Sequence, residues 1–339
     1  LSELLFAISI TAIALKLFAI FSDRFGLVDI PNDRSFHTKA VPRGAGMVFG
    51  TIALIVSGYL YPKIYSQMSY VISSIVIVIF VGILDDRYRL SPKVKFLAIA
   101  VSSMILYFNG LKIDYVGTYM HEDIYLSWLS LPFTYFAVAG FTNAMNLIDG
   151  LDGLCATIAI GIFSLYVVIG YKYNDPFIMF ISLGFIATLI AFLLYNWYPA
   201  SLFMGDSGSL SLGFAISVIS IKALEYLPAP TILYIGAIPI LDTFFVIARR
   251  KSDGLGAMTP DRCHLHHILH KFTRSVPLTV TILLAIQIVF FAIAYFVHKL
   301  ENQIYALILF LVLFRLIYES GIFLIKKSKM ECFSEQRRQ

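Results

Sequence analysis

Eleven apolar runs follow one another along this chain, at 4–21, 47–62, 69–84, 94–110, 128–147, 153–170, 176–195, 207–224, 231–248, 277–298 and 304–325. Runs of this length reach, or nearly reach, across the roughly 30 Å of a bilayer's hydrocarbon when helical. The two shortest, 47–62 and 69–84, have sixteen residues each and are the ones whose bounds are least well marked. With 59% hydrophobic and only 14% charged residues among 339, the chain has too little polar surface for a soluble globule of that size. The expected fold is therefore all-α and polytopic, with about eleven transmembrane helices. One integral-membrane domain covers 1–325, and a basic tail follows at 326–339.

An odd number of spans puts the two ends of the chain on opposite sides, and Lys and Arg decide which is which. Segments 22–46, 85–95, 249–276 and 326–339 carry nineteen of them; the loops between hold four, Lys63, Lys112, Lys172 and Lys299. The first set is expected in the cytoplasm, with the N-terminus out and the C-terminus in. The net charge of +5 follows from this asymmetry and gives little support for nucleic-acid binding. Residues 1–21 lack a small-residue cleavage site and read as a retained helix. Cys155, Cys263 and Cys332 have no CxxC spacing and fall on the cytoplasmic side, so free thiols are expected. Segment 111–127 mixes polar and β-favouring residues and reads as a short external hairpin, with His121 and Glu122 near its turn.

Every polar cluster of note then falls on one face. Asp85 and Asp86 close the third run; adjacent carboxylates repel unless a cation or proton intervenes, although a solvated helix end is an equal reading. Asn143, Asn146, Asp149 and Asp152 share an apolar neighbourhood with Gly150 and Gly153, where amides and carboxylates can meet a cation or nucleotide. Asp206 stands where a helix should begin, either as its cap or at a phosphate or metal site. His264, His266, His267 and His270 crowd the last large loop, where metal binding and phosphate recognition are equal contenders.

Taken in order, these motifs resemble one family, the polyprenyl-phosphate N-acetylhexosamine-1-phosphate transferases, and in particular their WecA-like branch. The resemblance runs from Pro31-Asn32-Asp33-Arg34-Ser35-Phe36-His37 and Val41-Pro42-Arg43-Gly44, through Leu84-Asp85-Asp86, the run from Asn143 to Leu154 and Met204-Gly205-Asp206-Ser207-Gly208-Ser209, to His264-Leu265-His266-His267. It implies transfer of a sugar 1-phosphate from a UDP-N-acetylhexosamine to a polyprenyl (undecaprenyl) phosphate, with release of UMP, at a cytoplasmic cleft of the bacterial inner membrane. Asp85 and Asp86 match the aspartates implicated in catalysis, Asp206 a magnesium ligand, and Asp149 and Asp152 the segment shaping the metal and nucleotide site. Asn143, Asn146 and Asn196 match amides of that cleft, Lys95 a phosphate-side lysine, and His264, His266 and His267 a sugar-nucleotide motif. Arg43 and Arg262 are further phosphate contacts. Asp242 also looks like a branch feature, substrate-facing or buried against an arginine. Mg2+, with Mn2+ as a substitute, is the implied cofactor, and a homodimer is a further expectation.

Two alternatives are carried. A peptidoglycan-type enzyme would take UDP-MurNAc-pentapeptide, but its histidines run consecutively, whereas Leu265 interrupts them here. That favours UDP-GlcNAc or a similar donor, and hence initiation of a cell-envelope glycan. A secondary transporter would also keep acids in its membrane domain, but nearer mid-membrane and in matching halves.

Overall fold

The computed structural model describes residues 2–31, 40–256, 263–328 and 332. Asn32 to Lys39, which carry the first part of the resemblance, and Arg262 lie outside the described residues, as does most of the basic tail. Two compact units are distinguished, Leu1–Tyr115 with Tyr125–Tyr226, and Val116–Ile124 with Leu227–Gln339.

The first unit holds α1 (Ser2–Phe21), α2 (Gly46–Leu60), the short α3 (Pro62–Gln67), α4 (Ser69–Tyr88), α5 (Pro92–Phe108), α6 (Ser130–Ile148), α7 (Leu154–Tyr173), α8 (Pro176–Asn196) and α9 (Gly205–Ala223). Ahead of α2, β1 (Val28–Asp29) and β2 (Val41–Pro42) pair antiparallel, Val28 opposite Pro42. Helix α9 is the axis of this unit, buried along nearly its whole length and packed against α2, α4, α6, α7 and α8. Small residues make that possible, because lipid gives helices no hydrophobic drive to associate and close packing must hold them together. A methyl group on Gly46 of α2 would lie 1.9 Å from the Gly208 nitrogen, one on Gly82 of α4 2.4 Å from the Ser207 Cα, and one on Gly213 of α9 2.7 Å from the Thr142 Cα of α6. Three helices therefore meet α9 backbone to backbone.

The second unit begins with the tip of a hairpin formed by β3 (Tyr115–Tyr119) and β4 (Glu122–Tyr125). Its turn residues, Met120 and His121, both have positive φ, as a type I′ two-residue hairpin loop requires. The unit continues with α10 (Ala229–Ile235), α11 (Ala237–Ser252), α12 (Leu265–Thr273), α13 (Val276–Val297) and α14 (Ile304–Ser328).

All eleven apolar runs are helical. One of them, 231–248, is not a single helix but the pair α10 and α11, bent by 88° at Gly236. Gln287 of α13 is buried beside the break and supplies what the backbone loses there. Its Oε1 accepts from Ile238 N at 2.9 Å, while Nε2 donates to the carbonyls of Tyr234 and Ile235 at 3.2 and 3.1 Å. Orphaned backbone groups inside a membrane protein cost about 1–3 kcal/mol each. Gln287→Leu strands three of them and should lower the melting temperature in detergent by several degrees; an unchanged melting curve would remove Gln287 as the support of the break.

Among the described residues, six helical stretches are by themselves long and apolar enough to cross a membrane: Ser2–Phe25, α4, α7, α8, α13 and α14; the bent pair makes a seventh if it counts as one span. The chain is thus a predominantly helical polytopic membrane protein. The expectation of free thiols is corrected at two positions: Cys263 and Cys332 are joined in a disulfide, and only Cys155 is free. The partners stand 69 residues apart, so no local spacing announces the pairing.

Candidate active site

The C-terminal turn of α4 meets the N-terminal turn of α9, and the acids gather there. Gly82, one turn before Asp85 and Asp86, is what lets α4 approach Ser207 so closely. Asp86 accepts the backbone N–H of Asp206 at 2.7 Å through Oδ1 and that of Ser207 at 3.0 Å through Oδ2. The first N–H groups of a helix have no partners within it, and α9 has no side-chain cap of its own. Asp86 provides one from another helix. Of the two readings of Asp206, as a cap or as a ligand-binding residue, the cap is therefore not the one seen; the side chain of Asp206 points elsewhere, to two cations. Gly205 has φ +73°, and a Cβ there would fall 2.5 Å from Asp86 Oδ2.

Those cations are Arg43 and Lys95. The Arg43 backbone forms an isolated bridge with Phe203, which sets the segment after β2 beside the entry to α9. Its Nε donates to Asp86 Oδ1 at 3.0 Å and its Nη2 to Asp206 Oδ1 at 2.8 Å. Burial works against the guanidinium, but the carboxylates of Asp86 and Asp206 outweigh it and hold its pKa above the ordinary value. Lys95, in the first turn of α5, donates to Asp206 Oδ2 at 2.8 Å and Asp85 Oδ2 at 3.3 Å. The other oxygen of Asp85, Oδ1, is buried with no hydrogen-bond partner.

The loop between α6 and α7 stands against this cluster. Burial first, then the neighbouring charge of Asp206, push the Asp149 carboxyl up to about 7. Asn146 donates to Ser209 Oγ at 2.8 Å on the next turn of α9, and Asn143 lies one turn earlier on α6, on the same side of the helix. Two expected site residues make hydrogen bonds to the loops. Asn196 accepts from Gly153 N at 3.0 Å and donates to the Leu202 carbonyl at 2.9 Å, while Asp152 accepts from Ala200 N at 2.9 Å. Together they tie the loop after α6 to the loop before α9. Ser207 and Ser209 were not singled out from sequence as contacts of Asp86 and Asn146; their place in the first two turns after Gly205 was the available signal.

In the second unit, the buried Asp242 of α11 faces the histidine segment. It is paired to histidine rather than to an arginine: Oδ2 lies 2.6 Å from His264 Nδ1, and Oδ1 accepts Leu265 N at 2.6 Å and lies 3.5 Å from His266 Nδ1. Burial, with the adjoining His266 and His264 rings adding to it, pushes His267 down to about 2.

Residues 68–224, which include Asp85, Asp86, Lys95, the α6–α7 loop and Asp206, match the glycosyl transferase family 4 pattern. A Bacillus subtilis protein named a probable undecaprenyl-phosphate N-acetylglucosaminyl 1-phosphate transferase is 36% identical over 274 residues, 79% of this chain and 76% of that one. This chain belongs to glycosyl transferase family 4. Within the family, an undecaprenyl-phosphate alpha-N-acetylglucosaminyl 1-phosphate transferase of Yersinia pestis is 29% identical over 73% of this chain and 70% of its own. A decaprenyl-phosphate N-acetylglucosaminephosphotransferase of Mycolicibacterium smegmatis is 29% identical over 79% of this chain and 77% of its own.

Proposed function

We propose that this family 4 enzyme transfers N-acetylglucosamine 1-phosphate from UDP-GlcNAc to a polyprenyl phosphate, releasing UMP and leaving a diphosphate-linked lipid that starts a cell-envelope glycan. The observation that carries this reading is the lattice of Arg43, Lys95, Asp85, Asp86 and Asp206 at the N-terminus of α9. Two polyanions must be brought to attacking distance, and fixed cations beside a helix N-terminus lower the repulsion between them. Arg43 and Lys95 hold phosphate oxygens, and Asp85, whose Oδ1 is unpartnered, orients the acceptor phosphate or takes its remaining proton. That phosphate is largely ionised near neutral pH, so direct attack on the β-phosphorus needs no strong base. The names of the relatives and the interruption of the histidines by Leu265 both favour GlcNAc over a muramoyl-pentapeptide donor. The resemblance assigns recognition of the sugar nucleotide to His264, His266 and His267.

The acceptor's tail needs an apolar surface, and α5 and α6 of the first unit border one. A cavity of about 640 Å³ is lined there by Phe96, Leu97, Ala100, Met104, Leu131 and Tyr135, on the same helix as Lys95 for its first four residues. The remaining features of the reading are eleven spans, with the N-terminus out, in the bacterial inner membrane, and a site opening to the cytoplasm.

Magnesium fits the residues present. Asp85, Asp86 and Asp206 outnumber Arg43 and Lys95 by one carboxyl group, and Asp149 adds another; their donors are the hard oxygens Mg2+ prefers, and the buried Asp85 Oδ1 has no other partner. Asp85, Asp206 and Asp149 would hold the ion, which when bound supplies further neutralisation of the diphosphate; Mn2+ has the same donor preference. Without it, Asp149 keeps a proton up to about 7. Its pKa in the fold lies above the ordinary 3.8, so the stability that the neutral carboxyl contributes is full below that value and is lost as pH rises through about 7. Mg2+ must displace this proton. Calorimetric Mg2+ affinity is therefore expected to climb with pH up to about 7 and level off above it, and Asp149→Asn should flatten the climb. A pH-independent affinity in the unaltered protein would take Asp149 out of the site.

The deciding experiment mixes purified protein in detergent, without vesicles, with Mg2+, polyprenyl phosphate and a panel of UDP-sugars. UMP release dependent on UDP-GlcNAc and on the lipid is the expected result. Release with UDP-MurNAc-pentapeptide alone, or from none of the donors, would overturn the reading.

A further inference from the structure

Helix α14 turns one side toward the other helices of its own unit and leaves the opposite side exposed. On the inner side, the Tyr234 hydroxyl of α10 donates to the Ala306 carbonyl, and Phe310, Phe314 and Tyr318 meet the rings of Tyr234, Phe244 and Phe245. Gly321 admits the Phe245 ring, since a Cβ there would fall 2.5 Å from it. The outer side runs through Ile308, Val312, Arg315, Leu316, Glu319 and Phe323, at the spacing that keeps to one face of a helix. An ion pair lies in the middle of it: Arg315 Nη2 donates to Glu319 Oε1, with 72% and 55% of the two side chains exposed.

That place is costly for charge. α14 is one of the helices long and apolar enough to cross a membrane, and Lys326 and Lys327 mark its basic end. At 1.5 Å per residue, Arg315 lies about 16 Å short of Lys326, half-way through the hydrocarbon and too deep for its head group to reach water. Charges at such depth face a bundle interior or a polar partner. Among the described residues, the guanidinium meets only the Glu319 carboxylate and the Tyr318 ring, and one carboxylate does not satisfy all the N–H donors of an arginine.

We propose that the outer face of α14 is the seat of a second copy of this chain, packed α14 against α14 about a two-fold axis along the membrane normal. The charge pattern selects that occupant. Two copies in one membrane run α14 in the same direction, so Arg315 and Glu319 of each arrive at the depth of those of the other. The one-turn step that lets Arg315 reach Glu319 within a helix is the same step between helices, and the four groups close into a ring in which each guanidinium lies between two carboxylates. A different membrane protein would have to carry both charges at matched depth, whereas a second copy brings them by symmetry. Ile308 and Val312 on one side of the ring and Phe323 on the other supply the close packing that holds helices together in lipid. The inference rests on α14 crossing the bilayer and on neither substrate assigned above.

Thiol crosslinking of the full chain in its membrane tests it. Leu316→Cys, beside the ion pair, should give a covalent dimer under copper phenanthroline, whereas Ile13→Cys, comparably exposed on α1, should not. Equal crosslinking at both positions, no dimer at Leu316→Cys, or a bond that stays within one chain or joins only a different protein would overturn the proposal. The charges have their own readout in the Leu316→Cys background. Arg315→Glu alone or Glu319→Arg alone sets like charges around the ring and should cut the crosslinked fraction roughly ten-fold or more. The double swap, Arg315→Glu with Glu319→Arg, keeps the pattern and should restore that fraction to within about three-fold of the starting level. Single swaps that crosslink as well as the unswapped protein, or a double swap as weak as the singles, would equally overturn it. If a single swap does not fold, the comparison of Leu316→Cys with Ile13→Cys decides the matter alone.

Discussion

Asp86→Asn is expected to lower UMP release by roughly 100-fold or more and to lower thermal stability in the same protein. The carboxylate accepts from two consecutive backbone nitrogens, Asp206 N and Ser207 N, and from Arg43 Nε. An asparagine has one acceptor oxygen, so its amide would set an N–H against a backbone N–H and leave Arg43 with a single carboxylate, that of Asp206. Removing one partner of a buried charge-assisted network costs about 1–3 kcal/mol for each group left unpaired. Asp206→Asn is different. Its side chain serves the cations rather than the start of α9, so it should match the loss of turnover with a smaller change in melting temperature. Steady-state UMP release and detergent melting curves on both variants make the comparison. Near-normal turnover in either would remove that residue from the reacting centre, and equal melting points for the two would remove Asp86 as the cap of α9.

The second large effect is expected at Gly46, a residue with no side chain. A Cβ there falls 1.9 Å from the Gly208 nitrogen, and the obstructing atoms are backbone, which cannot swing aside as a side-chain tip could. Gly46→Val should therefore separate α2 from α9 and prevent accumulation of folded protein, an effect above the usual range of about 0.5–3 kcal/mol for single substitutions. Gly140 gives the matched control, since nothing lies within 4 Å of a Cβ at that position. Size-exclusion profiles in detergent separate the outcomes: a monodisperse Gly46→Val protein would mean that α2 and α9 have room that this packing denies them.

The helices were readable from sequence because lipid leaves few choices: an apolar run of that length must satisfy its own backbone, and each expected run is helical. The acids were readable because charge is costly beside such runs, and Arg43, Asp85, Asp86, Lys95 and Asp206 do come together. What escaped depends on contacts between distant positions. Asp86 and Ser207 are 121 residues apart, so nothing in the local pattern marks one carboxylate of the adjacent pair as a helix cap and the other as unengaged at Oδ1. Asn196 and Asp152 have the composition of ligands but tie two loops together. The bend at Gly236 had a signal, a lone Gln287 inside the most apolar stretch of the second unit, and it becomes legible only once its three backbone partners are known.

The cap that Asp86 places on α9 bears on how this protein can change over time. Active-site charges are commonly a burden on the fold, so that substitutions which relieve them gain stability at the expense of rate. At residue 86 no such exchange is on offer, because Oδ1, which faces Arg43, is also one of the two oxygens that start the central helix. Selection for a sturdier protein and selection for a faster one therefore press in the same direction there. A library screened for heat resistance alone, with no substrate present, should return aspartate at position 86 more strictly than at position 206.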